Sequence, residues 1–408
     1  MPHFDSKKIA TLLLHKAKDY FPSKVSDQLK KLYMATAILD FAVACVSIFE
    51  PIYLYTIGIP LYQIMLFYCG VYSIYFFVIP LGGRIAKERG FAHGIAYGSF
   101  FLVLYYLFLF ATSTNHGFIF PAMIAFACQK ACYWPGFHSE MAFFGKKKEL
   151  GREVSGVVAL SSLVSAAGPF LGGLIVAVFG FPTLFIVACS LILISNLPLF
   201  VVAEVFKPST LAYTEPYKEL IAPENRKYFF AFMGFAEELV TLGLWPIFVF
   251  ITVDNIFEVG SIAAGVAVVA AIALVVIGRL ADVRDRREMM TTGAVMYTLS
   301  WFVKLIVRTG GGIFMADFFS RLSKFLLVLP MVAGVYEHAM KTTHIVKTVL
   351  FFEMSLTVGK IVTAGSLALV FYIWGPVWHV AFIWAGFASM LYIILGRKDG
   401  HIARQIGA

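Results

Sequence analysis

Long apolar segments separated by short polar turns recur along the whole chain. A helix needs about 20 consecutive apolar residues to cross a hydrocarbon layer of about 30 Å. Segments of this length, bounded by Gly, Pro and polar residues, predict an all-α integral membrane protein with about twelve transmembrane helices. The predicted spans are 32–57, 61–82, 92–112, 117–142, 154–178, 182–203, 228–253, 257–277, 291–309, 312–338, 347–372 and 376–396.

A polar segment in the middle of the chain divides the predicted helices into two groups of six. It contains Pro208, Pro216 and Pro223 together with basic residues, a composition typical of a linker. The sequence therefore predicts a basic cytoplasmic N-terminal segment at 1–31, a six-helix bundle at 32–203, a cytoplasmic linker at 204–227, a second six-helix bundle at 228–396 and a cytoplasmic tail at 397–408.

The two groups are related by an ungapped internal repeat with an offset of 195 residues. Residues 51–55, Pro-Ile-Tyr-Leu-Tyr, align with residues 246–250, Pro-Ile-Phe-Val-Phe. The same offset superposes Pro135 on Pro330 and Gly70 on Gly265. Such a repeat is common in transporters, and two parallel repeats require an even number of spans in each half. The offset therefore supports six plus six helices as two pseudo-repeats.

Composition agrees with lipid as the surrounding solvent. The chain is 60% hydrophobic and only 14% charged, and its mean hydropathy is +0.82. Soluble domains carry roughly 25% charged residues. The first 31 residues lack a short apolar core followed by a small-residue cleavage site, so no removable secretory signal is predicted.

Positive charge follows the predicted topology. Most of the 33 Lys and Arg residues fall on alternate connections between spans, and the intervening turns contain almost none. The positive-inside rule then places both termini in the cytoplasm, in a multi-pass protein of the cytoplasmic membrane. This distribution explains the net charge of +9 without a nucleic-acid partner. The five cysteines lie in apolar runs and suggest neither a metal site nor a cofactor.

A ten-residue segment after the second span of the second half resembles a signature of the major facilitator superfamily. Residues 278–287 read Gly-Arg-Leu-Ala-Asp-Val-Arg-Asp-Arg-Arg, and the superfamily pattern is Gly-x-Leu-Ala-Asp-x-x-Gly-Arg-(Arg/Lys). The first-half counterpart keeps the glycine and the basic residues but has Lys87 in place of the acid. The resemblance implies a gating role for Gly83, Arg84, Arg89, Gly278, Arg279, Asp282, Arg284, Arg286 and Arg287.

A second resemblance lies in the fifth predicted span. Gly168, Pro169, Gly172 and Gly173 match the Gly-Pro-x-x-Gly-Gly core of a motif found in exporters of the superfamily. The alternative interpretation is close helix packing by small residues with a tolerated kink.

Charged residues inside the predicted spans are concentrated where the superfamily lines its central cavity, in spans 1, 4, 7 and 10. A charge near the bilayer centre costs ~2.5–3.5 kcal/mol on insertion scales, so such residues are expected to face a cavity or one another. Helical spacing predicts ion pairs between Asp317 and Arg321 and between Glu353 and Lys360. Lys304 and Arg308 are expected to extend towards the membrane surface. The substrate-cavity candidates are Lys130, Trp134, Thr241, Trp245, Asp317, Arg321, Lys324, Glu353 and Lys360.

Lys130 and Lys324 occupy almost equivalent repeat positions. Facing each other across the cavity, they would offer a place for an anionic group of a substrate. His138 and His379 have no partner visible in the sequence and are expected to be packing or interface residues.

Four acidic residues are candidates for proton coupling: Asp40, Glu50, Glu237 and Glu238. Glu237 and Glu238 are adjacent in the seventh span, where mutual repulsion and desolvation favour proton binding by one of them. Glu238 is the leading candidate from the sequence.

These patterns predict a secondary active transporter that moves a small organic solute by alternating access, coupled to protons or to sodium and with some preference for export or antiport. The expected partners are a small-molecule substrate, the coupling ion and the lipid bilayer, and the chain is expected to be monomeric. No catalytic cluster suggests an enzyme. The alternative is a non-transporting membrane sensor or assembly partner that retains the transporter fold.

Overall fold

The structure is a computed structural model that describes residues 27–144, 150–198, 210–283, 285–341 and 345–396. Within these ranges every regular element is a helix. Nine helical segments among the described residues, some of them made of neighbouring shorter helices, are long and apolar enough to cross a membrane. The all-α prediction is therefore confirmed, and the number twelve stays a prediction. Most of the basic N-terminal segment and the predicted tail lie outside the described residues.

The first half consists of six α-helices. A short 3₁₀ turn, His116–Phe118, precedes the fifth of them. The sixth helix spans two predicted membrane segments and contains Gly180, whose φ of 80° breaks the regular helical backbone. The helices are α1 Asp27–Val46, α2 Phe49–Thr56, α3 Leu61–Arg89, α4 Phe91–Ala111, α5 Ile119–Phe144 and α6 Leu150–Ser195.

The second half begins after a short linker helix and contains one broken helix followed by long ones. The helices are α7 Glu215–Ile221 in the linker, α8 Arg226–Phe232, α9 Glu237–Leu239, α10 Trp245–Val253, α11 Ile256–Val283, α12 Arg286–Lys304, α13 Gly310–Lys341, α14 Ile345–Trp374, α15 Trp378–Met390 and α16 Ile393–Gly396.

The internal repeat is visible in the backbone. Gly180 in the first half and Gly375 in the second are 195 residues apart, and both have a positive φ, 80° and 74°. Glycine is the residue that adopts this conformation without a steric penalty. A chain reversal at equivalent positions is what a duplicated six-helix unit predicts.

The linker touches both halves at one end of the molecule, which we call the linker end. The Tyr213 hydroxyl donates a hydrogen bond to the carbonyl of Phe77 in α3 at 2.8 Å. Lys347 of α14 pairs with Glu219 of α7 at 2.8 Å. The linker thus contacts α3 of the first half and α14 of the second.

The two halves contact each other at both ends. At the end opposite the linker, the rings of Tyr62 and Tyr372 lie 5.4 Å apart, and α6 crosses α11 closely at Gly260. At the linker end, a small apolar cluster joins Met141 of α5 to Tyr336 of α13. The described residues therefore enclose the middle of the molecule from both sides.

Candidate functional site

Two adjacent acids lie on the most irregular stretch of helix in the second half. A 3₁₀ turn, Met233–Ala236, precedes α9, and a π turn, Val240–Leu244, follows it. Pro246 contributes to this irregularity because it has no backbone N–H to donate to the preceding turn. Single π turns inside helices are frequent at functional sites. Glu237 and Glu238 therefore lie where the helical backbone of the second half departs from regular geometry.

Glu237 is fully buried and has several hydrogen-bond partners. Its carboxylate accepts hydrogen bonds from the hydroxyls of Tyr297, Tyr392 at 3.3 Å and Thr241 at 3.1 Å. Lys324 Nζ lies 3.1 Å from Glu237 Oε1. A buried charge requires such pairing, because desolvation without it is very unfavourable.

Glu238 completes a network of four charged residues that we call the charged quartet: Glu237, Glu238, Lys324 and Lys360. Lys360 Nζ lies 2.7 Å from Glu238 Oε2, and Lys324 Nζ lies 3.5 Å from Oε1. The side chains of Glu238 and Lys324 keep 28% and 22% of their surface accessible although both residues lie inside apolar segments long enough to cross a membrane. The quartet has two negative and two positive charges and is neutral as a unit.

Lys130 lies beside the quartet, on α5 of the first half. Its ammonium lies 4.1 Å from the ring centroid of Phe126 and 5.6 Å from that of Tyr72. The same Tyr72 ring lies 5.1 Å from the ammonium of Lys360, so one aromatic ring links the two halves. Lys130 forms no ion pair with any residue that the structure describes.

Glu50 is a second buried acid and has a different environment. Its side chain is nearly inaccessible, at 6% exposure, and accepts hydrogen bonds from Tyr105 at 3.1 Å and Tyr106 at 2.7 Å. Within the described ranges no Lys, Arg or His pairs with it. The Tyr105 ring stacks on the ring of Phe126 at 4.2 Å between centroids, and the Phe126 ring also lies under the ammonium of Lys130.

A polar cluster lies between the halves on the linker side of the quartet, and we call it the linker-end cluster: Tyr75, His138, Tyr336 and Glu353. His138 Nε2 lies 3.2 Å from Glu353 Oε1, and His138 Nδ1 lies 2.6 Å from the Tyr336 hydroxyl. The Tyr75 hydroxyl donates to Glu353 Oε2 at 2.8 Å. Tyr75 and His138 belong to the first half, and the other two belong to the second. Opening of this end must separate these partners.

Both ion pairs predicted from helical spacing are wrong. Asp317 pairs with Lys304 of α12 at 3.1 Å instead of with Arg321. Glu353 pairs with His138, and its predicted partner Lys360 pairs with Glu238. Spacing along one helix identifies residues on one face, but long side chains also reach acids on neighbouring helices.

The prediction that Lys304 extends towards the membrane surface is also wrong. Lys304 is 0% exposed, and its ammonium lies 4.1 Å from the ring of Trp245 and 4.5 Å from that of Trp301. Trp245 itself is buried, so it packs around this lysine and lines no accessible surface of the site. Arg308 donates a hydrogen bond to the carbonyl of Val307 at 2.6 Å.

The remaining candidates lie around this centre. Trp134 stacks on the ring of His138 at 5.3 Å, and Thr241 contacts Glu237. Arg321 is half-buried one turn from Lys324 and forms no ion pair within the described part of the chain. Asp40 is half-buried on α1.

The first-half gating motif lies at the linker end. A Cβ on Gly83 would lie 2.6 Å from the side chain of Leu350, so the glycine allows α3 to approach α14 of the other half. Arg84 pairs with Glu88 one turn away at 2.6 Å, and Arg89 donates to the Tyr97 hydroxyl at 3.0 Å.

The second-half motif is described in part. Arg286 pairs with Glu337 of α13 at 2.8 Å, and the Arg287 backbone N–H donates to Asp285 at 2.7 Å. Gly278, Arg279 and Asp282 lie in the last part of α11, of which only the backbone is described, and Arg284 lies outside the described residues.

The glycines of the fifth-span motif are sites of close helix packing. A Cβ on Gly168 would lie 2.6 Å from Ala44, and one on Gly172 would lie 2.0 Å from the carbonyl of Cys45. Gly173 faces α11 of the second half, where a Cβ would lie 3.2 Å from Gly260. The packing interpretation of this motif therefore has a direct geometric basis.

Sequence reasoning missed the tyrosines and His138 as members of these sites. Tyr72, Tyr75, Tyr105, Tyr106 and Tyr297 each bring a hydroxyl or a ring to a buried charge. A signal was present, because a tyrosine hydroxyl inside an apolar span needs a hydrogen-bond partner. Because the chain has 19 tyrosines, this signal does not identify which of them contact a buried charge.

No protein-family model matches the sequence, and no curated protein matches it. Solved structures do match the fold. The D-xylose-proton symporter superimposes with a TM-score of 0.66 at 12% identity, over 91% of this chain and 97% of that one. The E. coli fucose:proton symporter gives 0.59 at 14% identity, over 90% and 97%. A second structure of that transporter, described as a major facilitator superfamily transporter in the outward conformation, gives 0.58 at 12% identity, over 90% and 97%.

These matches cover nearly the whole chain. They confirm that the chain has the all-α fold of major facilitator superfamily transporters, as the sequence motifs predicted.

Proposed function

We propose that this chain, which has the major facilitator fold, is a secondary active transporter of a small organic solute. The observation that carries the proposal is the charged quartet with Lys130, a group of ionised residues inside long, mostly apolar helical segments. Charges at such positions are unfavourable and usually mark a substrate or ion pathway.

Alternating access requires a central site that can be closed at either end. Contacts at Gly260 and between Tyr62 and Tyr372 close the end opposite the linker. The linker-end cluster and the contact between Gly83 and Leu350 close the other end. The two sets lie on opposite sides of the quartet, so separating one set while keeping the other would expose the site to one side of the membrane.

We further propose that the coupling ion is a proton and that Glu50 binds it. Two ammonium groups lie beside Glu238, and this environment favours its ionised form. Glu50 accepts hydrogen bonds only from neutral tyrosine hydroxyls, and a buried carboxylate without an ion-pair partner is unfavourable, so binding a proton removes that penalty. This proposal replaces Glu238, the leading candidate from the sequence, with Glu50. Glu237 and Asp40 stay predictions.

We place the linker end on the cytoplasmic side of a cytoplasmic membrane, because the basic residues of the sequence favour that orientation. The solved structures with this fold do not support the sequence-based expectation of export or antiport, because two of them are named as symporters. We propose symport.

The test is uptake by purified protein in proteoliposomes offered a defined pool of small organic acids, amines, amides and sugars, with an inward proton gradient. Mass spectrometry of the vesicle contents identifies any solute that accumulates. We expect at least one solute to accumulate with the wild type and not with Lys360→Gln, which leaves Glu238 without its closest partner. Glu258→Gln, at an exposed acid near the opposite end, is the matched control and should transport normally.

A non-transporting sensor with this fold gives a different result. No solute would accumulate with the wild type, and Lys360→Gln would not change the solute content of the vesicles.

A further inference from the structure

Lys130 is a positive charge beside the charged quartet that has no ion-pair partner among the described residues. The two acids and two lysines of the charged quartet neutralise one another within 3.5 Å. Lys130 is not paired with either acid of the quartet. Its ammonium lies near two aromatic rings and forms no ion pair within the described part of the chain. The quartet and Lys130 together have a net charge of +1.

Aromatic rings do not replace a counterion. A cation over a ring gains about 0.5–2 kcal/mol, and its charge and hydrogen-bond donors stay available. Lys130 is half-buried, near the middle of α5, on the first-half side of the ring of Tyr72 that also contacts Lys360. An ammonium that is enclosed, donor-rich and unpaired is suited to a small anion.

We propose that the transported solute carries a single negative charge on a carboxylate, and that this carboxylate binds Lys130 in the space bordered by Phe126 and Tyr72. This inference rests on the proposed function and names the substrate class of the same site. The carboxylate would neutralise the net charge of the site. The two rings would offer apolar surface to the organic part of the solute.

The position of Glu50 gives the proposal a consequence for coupling. Lys130 interacts electrostatically with Glu50, and Phe126 and Tyr105 form a stacked path between them. The titratable groups around Glu50 are Tyr68, Tyr105 and Tyr106 together with Lys130. An ionised Glu50 repels a second anion near Lys130, and a protonated Glu50 does not.

Proton binding at Glu50 and anion binding at Lys130 therefore favour each other, and the effect is reciprocal by linkage. Mutual support between the two ligands produces symport, in which both move in the same direction. Antiport would need the proton and the solute to compete.

The experiment measures thermal stabilisation of the purified chain in detergent at pH 7, since a ligand that binds the folded state raises the melting temperature. The probes are matched pairs of a monocarboxylate and its primary amide: lactate and lactamide, benzoate and benzamide, phenylacetate and phenylacetamide, nicotinate and nicotinamide. Each pair shares a shape and differs in charge.

We expect at least one acid to stabilise the wild type while its amide does not. Lys130→Gln should weaken that acid's apparent affinity roughly ten- to hundredfold, the effect of losing one charge-assisted hydrogen bond. Lys130→Arg should restore most of it. Lys130→Gln removes no ion-pair partner, so we expect it to fold, and Lys87→Gln at the linker end controls for loss of a lysine as such. Glu50→Gln, which imitates the protonated acid, should bind the same acid at least as tightly as the wild type.

The proposal is overturned if no acid stabilises the wild type, if amides stabilise it as well as acids do, or if Lys130→Gln binds the acids normally. Weaker acid binding by Glu50→Gln would overturn the coupling. Failure of the proposed function has a different signature, which is acid binding that depends on Lys130 without any accumulation in proteoliposomes. Accumulation of a neutral solute, unaffected by Lys130→Gln, would leave the function standing and refute the inference.

Discussion

His138 Nε2 lies 3.2 Å from Glu353 Oε1, which joins the first half of the chain to the second at the linker end. The same imidazole contacts Tyr336, and the same carboxylate accepts a hydrogen bond from Tyr75. Apart from Glu353, every member of this cluster has an aromatic or imidazole ring. Replacing one of these residues with phenylalanine therefore removes its hydrogen bonds and keeps a ring in its place.

His138→Phe should shift the molecule towards opening at the linker end. The substitution keeps a ring to stack on Trp134 and removes both polar contacts between the halves. Pulsed electron paramagnetic resonance between spin labels at the linker ends of α5 and α13 should show a larger fraction of long distances. Tyr336→Phe, which removes one contact, should have a smaller effect.

The control for that experiment is Glu258→Gln, because Glu258 is an exposed acid near the opposite end. Identical distance distributions for His138→Phe and Glu258→Gln would show that the cluster does not hold the halves together.

Gly260→Ala should open the end opposite the linker. A Cβ at this position would lie 2.4 Å from the carbonyl oxygen of Pro169, a backbone atom that cannot move aside without displacing α6. In a cysteine-free background with Tyr62→Cys, a membrane-impermeant maleimide should label residue 62 faster when Gly260→Ala is present. Gly334→Ala is the control, since a Cβ there would meet no atom within 4 Å. Equal labelling rates for the two variants would contradict the proposed closure.

Lys304→Met should destabilise the chain more than replacement of both members of its ion pair. The single substitution leaves Asp317, whose side chain is only 15% exposed, without its closest partner. Breaking a buried pair in this way costs about 3–5 kcal/mol, and replacing both members with apolar residues is often neutral. The melting temperature of Lys304→Met in detergent should therefore be lower than that of Lys304→Met with Asp317→Leu. A double variant that is no more stable than the single one would show that the pair is not the source of the effect.

Glu238→Gln should abolish solute accumulation while the chain stays folded. The substitution removes the negative charge that lies 2.7 Å from Lys360 and leaves the quartet with a net charge of +1. Size-exclusion profiles and melting temperatures check the fold, and uptake in proteoliposomes checks the activity. Normal uptake by this variant would mean that charge neutrality of the quartet is not required.

The fold was largely predictable from the sequence because each of its main determinants is local or periodic. Apolar length gives the helices, and the repeat offset of 195 residues relates Gly180 to Gly375, which share a left-handed backbone conformation. The glycines of the fifth-span motif predicted close helix packing, which the structure has where Gly172 of α6 lies against α1. Each of these features depends on a few neighbouring residues or on a fixed spacing.

The sequence predicted which charged residues belong to the site, but it did not predict which of them form ion pairs with one another. Lys324, Lys360 and Glu238 were identified as charges inside spans, but the distances that pair them depend on how three different helices pack. The sequence also could not distinguish Glu238 from Glu50, because the difference lies in their partners. Glu238 is next to two ammonium groups, whereas two tyrosine hydroxyls from α4 reach Glu50.

The measurement that tests the central claim most directly is internal pH in proteoliposomes that carry a pH-reporting dye, after addition of the monocarboxylate pool outside, without an imposed proton gradient. Protein-free vesicles given the same acids correct for membrane permeation by the protonated acids, and the matched amides, which carry no acidic proton, show whether the solute changes the dye signal without proton movement. We predict a solute-dependent acidification with the wild type that is faster than in protein-free vesicles and is lost with Glu50→Gln. Acidification at the protein-free rate with the wild type, or the same rate with Glu50→Gln, would contradict proton-coupled transport through this site.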